Sequence, residues 1–178
     1  MANTQKGTER KLIEESINGN NLAQRQLYDL FVGAMFFTCN NMMRNREEAE
    51  DMLQESFSEA FATLERFRFE SSFGTWMKRI VVNKCINELK RKKADLEFSE
   101  NMESFEEVDD EELPVQLNID LVKKAMNQLP EGGKLVFKLY LLEGYTHKEI
   151  AEILGVSESN SKSQYMRAKN KVKELLKN

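Results

Sequence analysis

Two stretches of this 178-residue chain gather side chains suited to contacting nucleic acid. Between Lys78 and Lys93 there are seven basic residues and one acid, Glu88. Arg79, Asn83, Asn87, Lys90 and Arg91 are spaced by four, four, three and one, which sets them along one face of a helix, with Lys78 and Lys84 beside it. Basic side chains neutralise phosphates, whereas a carboxamide offers a donor and an acceptor to a base edge. A merely solvated basic face would look the same. The preceding segment, Phe67-Arg68-Phe69-Glu70-Ser71-Ser72-Phe73, mixes aromatics with small polar residues. A loop of that kind can receive an unstacked base, with Phe69 among its walls, or its rings can be core residues holding the loop down.

The second stretch begins at Thr146-His147-Lys148-Glu149, the pattern of a capping box, so a helix is expected to start there. Ile150, Ala151, Ile153 and Leu154 give it an apolar face, Gly155 suits a left-handed turn, and Ser157 can cap a second helix from Glu158 to about Leu176. Helix, glycine turn and helix at this spacing form a helix-turn-helix, whose close crossing calls for a small residue such as Ala151. The second helix carries Ser159, Asn160, Lys162, Ser163, Gln164 and Arg167, then Lys169, Lys171 and Lys173. Short polar, Gln and Arg groups suit base edges in a major groove, and the following lysines suit phosphates. A helical hairpin without DNA is the competing reading.

Catalytic chemistry has little to work with. The single histidine, His147, has no nucleophile, paired base or metal ligand near it in sequence, and a first-turn surface position is expected for it. Cys39 and Cys85 lie in apolar-periodic segments without a CxxC spacing, which points to buried free thiols in a reducing compartment. No catalytic residue, metal site or cofactor is expected, and the chain is read as not an enzyme.

These groups need helices to hold them, and the composition supplies them: only 8 Gly and 2 Pro interrupt the chain, and no strand alternation is evident. Leu22–Met43 reads as an amphipathic helix through Leu27, Leu30, Phe31, Ala34, Met35 and Cys39. Asn45 is a plausible N-cap for a helix over Glu48–Leu64, whose apolar stripe includes Met52, Leu53 and Phe57 and whose opposite face carries Asp51, Gln54, Glu55 and Ser58. Phe73–Arg91 follows, with Phe73, Trp76, Met77, Ile80, Val81, Cys85 and Leu89 on its apolar side.

The net charge of −4 conceals a division. From Ala94 to Leu113 there are ten acids and no Lys or Arg, and without that stretch 26 basic residues stand against 20 acidic ones. The acidic run, bounded by Lys90-Arg91-Lys92-Lys93 and Pro114, is read as a flexible linker over 94–114, a tether or a polyanion able to occupy a positively charged channel. The expected fold is all-α, with an N-terminal helical bundle over 1–93 and a helix-turn-helix domain over 115–178. No apolar run approaches the roughly 18 residues that span a bilayer, so a soluble cytoplasmic protein without membrane insertion is expected.

Taken in order, these motifs resemble the sigma-70 family, and within it the short extracytoplasmic-function group. Glu50-Asp51-Met52-Leu53-Gln54-Glu55-Ser56-Phe57 looks like the family segment that contacts the clamp helices of the polymerase beta-prime subunit. By that resemblance Asp51, Gln54 and Glu55 become contacts to core polymerase. Phe73-Gly74-Thr75-Trp76-Met77-Lys78-Arg79-Ile80-Val81-Val82-Asn83 is similar to the segment that melts and reads the minus-ten element, and Gly144–Gly155 to the minus-thirty-five reader. The implied partners are core RNA polymerase, through its beta and beta-prime subunits, and promoter DNA, with an anti-sigma factor as a further candidate. Two departures from the family pattern stand out: Ser161 occupies a usual aliphatic position of the recognition helix, and Gly132-Gly133 cost roughly 1 kcal/mol each if they lie inside a helix. A stand-alone helix-turn-helix regulator is the alternative, but it leaves the Asp51, Gln54 and Glu55 face without a role.

Overall fold

In a computed structural model, residues 2–43, 45–92 and 124–177 are described, and every regular element among them is helical. They cluster into two compact units that divide after Lys92. The acidic segment 94–114 lies outside the described residues.

The first unit contains α1 (Ala2–Ile17), α2 (Asn21–Met42), α3 (Arg46–Ala62) and α4 (Phe73–Lys92), with a 3-10 turn at Leu64–Arg66. Helix α1 begins in a polar, charged segment; it forms because Leu12 and Ile13 can bury against α2. Asn20 caps α2, accepting from the backbone N–H of Leu22 at 3.0 Å and of Ala23 at 3.2 Å. Asn45 caps α3 as expected, accepting from Glu48 N–H at 2.8 Å, and Glu47 and Glu48 place negative charge at the positive end of that helix. Ser72 does the same for α4 through Thr75 N–H at 3.1 Å.

Helix α2 packs against α1, α3 and α4, so its buried stripe runs through Ala23, Leu27, Met35, Cys39 and Met42. Leu30 and Ala34, expected on that stripe, lie on the remaining outward face, and Leu30 is 59% exposed. Phe73, Met77, Val81, Val82, Cys85 and Ile86 form the inward side of α4, while Trp76, Ile80 and Leu89 are only partly covered. Burying a side chain such as Phe73 contributes about 1.5–3 kcal/mol. Gly74 lets the Phe31 ring lie on α4, because a β-carbon there would meet Phe31 Cε1 at 3.0 Å. Both cysteines are buried free thiols.

The second unit has a short helical stretch at 124–127, then α5 (Glu131–Phe137) running into a π turn at Lys138–Leu142, α6 (His147–Leu154) and α7 (Glu158–Lys177). Its core joins Ala125, Met126, Leu129 and Phe137 to Ala168 and Val172 of α7. Gly132 and Gly133 fall in the first turn of α5 and are buried. A β-carbon on Gly133 would meet the Gln164 carboxamide oxygen at 3.5 Å and Ala168 Cβ at 3.8 Å, the signature of α5 lying close on α7.

Candidate nucleic-acid and polymerase interfaces

On α3, Asp51, Gln54 and Glu55 are exposed and stand at i, i+3 and i+4, so they share one outward face. The opposite side of the helix buries Met52, Leu53, Ser56 and Phe57, with the Ser56 hydroxyl donating to Met52 carbonyl at 2.6 Å.

On α4, Arg79, Asn83, Asn87, Lys90 and Arg91 are all exposed, and Lys78 is half-buried beside them. Acids on α3 and α4 hold part of the basic charge. Lys84 Nζ lies 3.0 Å from Glu59 and 3.7 Å from Glu55, and the hydrogen bond to Glu59 raises its pKa. Arg91 donates to both oxygens of Glu88, each at 2.7 Å. Those bonds, helped by Lys92, bring the Glu88 carboxyl down to about 2 against the opposing effect of burial. Lys92 also reaches Glu48 at 3.0 Å, tying the end of α4 to the start of α3. Glu55, Asn83, Lys84, Asn87 and Arg91 line one cleft of about 260 Å³ between the two helices. The acidic face of α3 and the carboxamide stripe of α4 therefore adjoin.

The loop before α4 resolves the two roles that its aromatics could have played. Phe67 and Phe73 are core residues, 5.9 Å apart edge to face, with Trp76 against both. Phe69 is different: it is 38% exposed, and its φ of 59° makes it the one non-glycine residue with left-handed backbone among those described. That conformation costs roughly 1–2 kcal/mol for an L residue. Its ring lies 4.8 Å from Phe67 and beneath the guanidinium of Arg10, 4.7 Å from the ring centroid. Nothing in the spacing of the polar N-terminal segment signals Arg10, because the contact depends on α1 packing against the 3-10 turn.

In the second unit the expected capping box is complete. Thr146 Oγ1 accepts from Glu149 N–H, and the Glu149 carboxylate accepts from Thr146 N–H at 2.9 Å. Gly155 closes α6 with φ 75°, a left-handed turn that glycine adopts without strain, and Ser157 Oγ accepts from Asn160 N–H at 3.0 Å to start α7. Ala151 is buried at the helix crossing.

The face of α7 differs in part from the expected set. Ser159 and Lys162 are exposed; Asn160, Ser163 and Arg167 are partly exposed. Lys162 pairs with Glu158 at 2.7 Å. Gln164 does not stand on this face, being 6% exposed and turned into the α5 contact, where it fills the space left by Gly133. Lys169 is buried as well, and Lys171 pairs with Glu174 at 3.1 Å. Residues 164 and 168 share the helix side that meets α5, which is why both turn inward.

His147 also departs from expectation. It is not a free surface side chain: its ring stacks on Tyr140 with centroids 4.4 Å apart and planes 12° from parallel, and Nδ1 lies 3.0 Å from Ser161 Oγ. Burial, then the charge of Lys162, lowers its pKa below the ordinary 6.5. Ser161 is fully buried, so the position is a core position that carries a hydroxyl satisfied by the imidazole. No cluster of His, Cys, Asp or Glu among the described residues could hold a metal ion, and no described helix is long and apolar enough to cross a membrane.

Comparison with known proteins agrees with this architecture. Residues 27–94 match the family described as Sigma-70 region 2, and residues 119–172 that described as Sigma-70, region 4. The ECF RNA polymerase sigma-E factor of Haemophilus influenzae is 32% identical over 149 residues, covering 74% of this chain and 78% of that protein. The ECF RNA polymerase sigma factor SigM of Mycobacterium tuberculosis is 28% identical over 166 residues, 93% of this chain and 83% of the relative. SigW of Bacillus subtilis is 25% identical over 179 residues, covering 94% and 96%. Among solved structures, the sigma factor RpoE of Bartonella quintana, crystallised with the anti-sigma factor NepR, shares the fold with a TM-score of 0.59 at 24% identity, covering 86% of this chain and 96% of that one. These matches and the two helical units lead to one conclusion: the chain belongs to the sigma-70 family, as an RNA polymerase sigma factor of the extracytoplasmic-function group.

Proposed function

We propose how this sigma factor divides its work among its residues. Asp51, Gln54 and Glu55 contact the clamp of core polymerase. Phe69, Lys78, Arg79, Asn83, Asn87, Lys90 and Arg91 receive the melted strand of the minus-ten element. On α7, Ser159, Asn160, Lys162, Ser163 and Arg167 meet the minus-thirty-five element in the major groove, while Gln164 supports that helix from behind. Residues 1–93 and 115–178 act as the two gripping domains, with 94–114 as an acidic connector directed toward the polymerase cleft. The factor works in the cytoplasm, has no catalytic site of its own, and is open to restraint by an anti-sigma factor; its structural relative RpoE crystallised in complex with the anti-sigma factor NepR.

The observation that carries this reading is the exposed α4 stripe, in which Asn83 and Asn87 sit among the exposed cations Arg79, Lys90 and Arg91. Carboxamides there can pair with base edges while the cations hold phosphates. The test is transcription by core polymerase assembled with Asn83→Ala. Permanganate reactivity of promoter thymines should fall while the upstream footprint persists; unaltered reactivity would overturn the role given to α4. In the same assay Asp51→Arg should weaken assembly with core polymerase and leave the melting temperature of the free protein unchanged.

A further inference from the structure

We propose that Arg10 of α1 completes the strand-receiving loop, holding the Phe69 ring and pairing with a phosphate of the single-stranded DNA received there. This rests on the role proposed above for Phe69 and α4, and extends it to a helix preceding residue 27, where the family match begins.

Three observations converge on the residue. Phe69 keeps an exposed aromatic ring on left-handed backbone, an arrangement that persists only when its neighbours hold it. Arg10 is one of those neighbours, its guanidinium 4.7 Å from the ring centroid. Arg10 is itself oriented, because Nε donates to Glu14 Oε1 at 2.9 Å one turn along α1. The side chain remains well exposed, so the pair with Glu14 is worth little in stability. A guanidinium has five N–H donors, and Nε accounts for one of them.

An oriented planar cation against an exposed aromatic is the combination that grips single strands: the ring stacks a base and the cation meets the backbone beside it. Ser71 and Ser72, exposed in the same loop, leave the approach open to a nucleotide. The neighbouring Phe67, buried against Phe73 and Trp76, gives Phe69 a firm base. Among the described residues, Lys84 and Lys92 are held by carboxylates of the neighbouring helix α3, whereas the ion pair of Arg10 is with Glu14 on its own helix, with both side chains exposed.

The test uses the full chain assembled with core polymerase. The probe is a short single-stranded DNA carrying 2-aminopurine, taken from the non-template strand of a start site the assembly opens. Arg10→Ala should weaken binding of this strand roughly threefold to tenfold and lower the salt dependence by about 0.7 in log–log slope, the loss of one phosphate contact on single-stranded DNA. Arg10→Lys should keep that slope, since the charge remains. An unchanged slope in Arg10→Ala, or equal losses in Arg10→Ala and Arg10→Lys that follow a lowered melting temperature, would reduce Arg10 to a packing residue. Phe69→Leu and Asn83→Ala separate the two layers. If they weaken strand binding and Arg10→Ala does not, the assignment of Arg10 alone falls; if none of the three matters, the strand does not lie on this loop.

Discussion

Nδ1 of His147, in the first turn of α6, and Oγ of Ser161, in the first turn of α7, lie 3.0 Å apart and join the two helices of the helix-turn-helix. Each atom explains the other. A hydroxyl at a fully buried position would cost about 1–3 kcal/mol if left without a partner, and the imidazole supplies one. The ring in turn is fixed by stacking on Tyr140, which the π turn of the preceding segment brings against it.

The pair should behave as a coupled unit. Ser161→Ala and His147→Phe each remove one side of the bond; Ser161→Ala should destabilise the second unit by about 0.5–1.5 kcal/mol, and His147→Phe, which leaves the buried hydroxyl without that partner, by about 1–3 kcal/mol. The double variant should lose less than the sum, leaving a coupling of about 0.5 kcal/mol or more. Native-state hydrogen exchange of α6 and α7 amides reads this locally, without relying on two-state unfolding of a chain with two units. Strict additivity would mean that the hydroxyl and imidazole do not support each other.

A pH dependence follows from the same residue. Burial, and secondarily the Lys162 charge, hold the folded His147 pKa below the ordinary 6.5. The unfolded chain therefore takes up a proton before the folded one as pH falls. Stability of the second unit is complete above 6.5 and declines below it, until the folded imidazole also titrates. The carboxylate that also acts on the ring, Glu158, is itself held low by its hydrogen bond to Lys162, so its effect belongs to more acidic pH. Exchange of α6 and α7 amides should accelerate as the pH falls below 6.5, and His147→Gln should flatten that rise. A rise of equal size in His147→Gln would assign it to other groups.

Much of this fold could be read from residue types because local signals agreed with tertiary packing. Asn45, Thr146 with Glu149, Gly155 and Ser157 each act through bonds within a few residues, and each is found in its expected role. The misreadings share a different cause. The outward turn of Leu30, the inward turn of Gln164 and the His147–Ser161 bond all depend on which neighbour a face meets. Periodicity gives the stripe but not the partner, so a polar residue at the edge of a stripe can go either way. Arg10 illustrates the limit, since its contact with Phe69 spans the whole of the helices between them in sequence.

The ion pairs on α4 make a prediction about affinity. Glu88 occupies Arg91 through two bonds and Lys92 through a third at 3.3 Å, holding cations that the proposed strand would also attract. Glu88→Gln removes the negative charge and frees both. Binding of single-stranded DNA by the assembled factor should tighten roughly twofold to fivefold at low salt, with a steeper salt dependence. A weaker grip would show that Glu88 serves mainly to orient Arg91 for its contact.

Gln164 and Arg167 lie three residues apart on α7 but should fail differently. Gln164 is buried against the α5 glycine, so Gln164→Ala removes a packed polar side chain, and its loss should appear as faster amide exchange around α5 and α7. Affinity for the preferred upstream element and for unrelated duplex should then fall by the same factor, because no base edge has lost a partner. Arg167 is partly exposed, so Arg167→Ala should leave exchange nearly unchanged and cost about 1–3 kcal/mol of discrimination against a wrong base. Competition binding of matched and mismatched duplexes by the assembled factor measures that ratio for both variants. A specificity loss confined to Gln164→Ala would mean that this residue turns outward on DNA and that the α5 contact opens when the duplex binds.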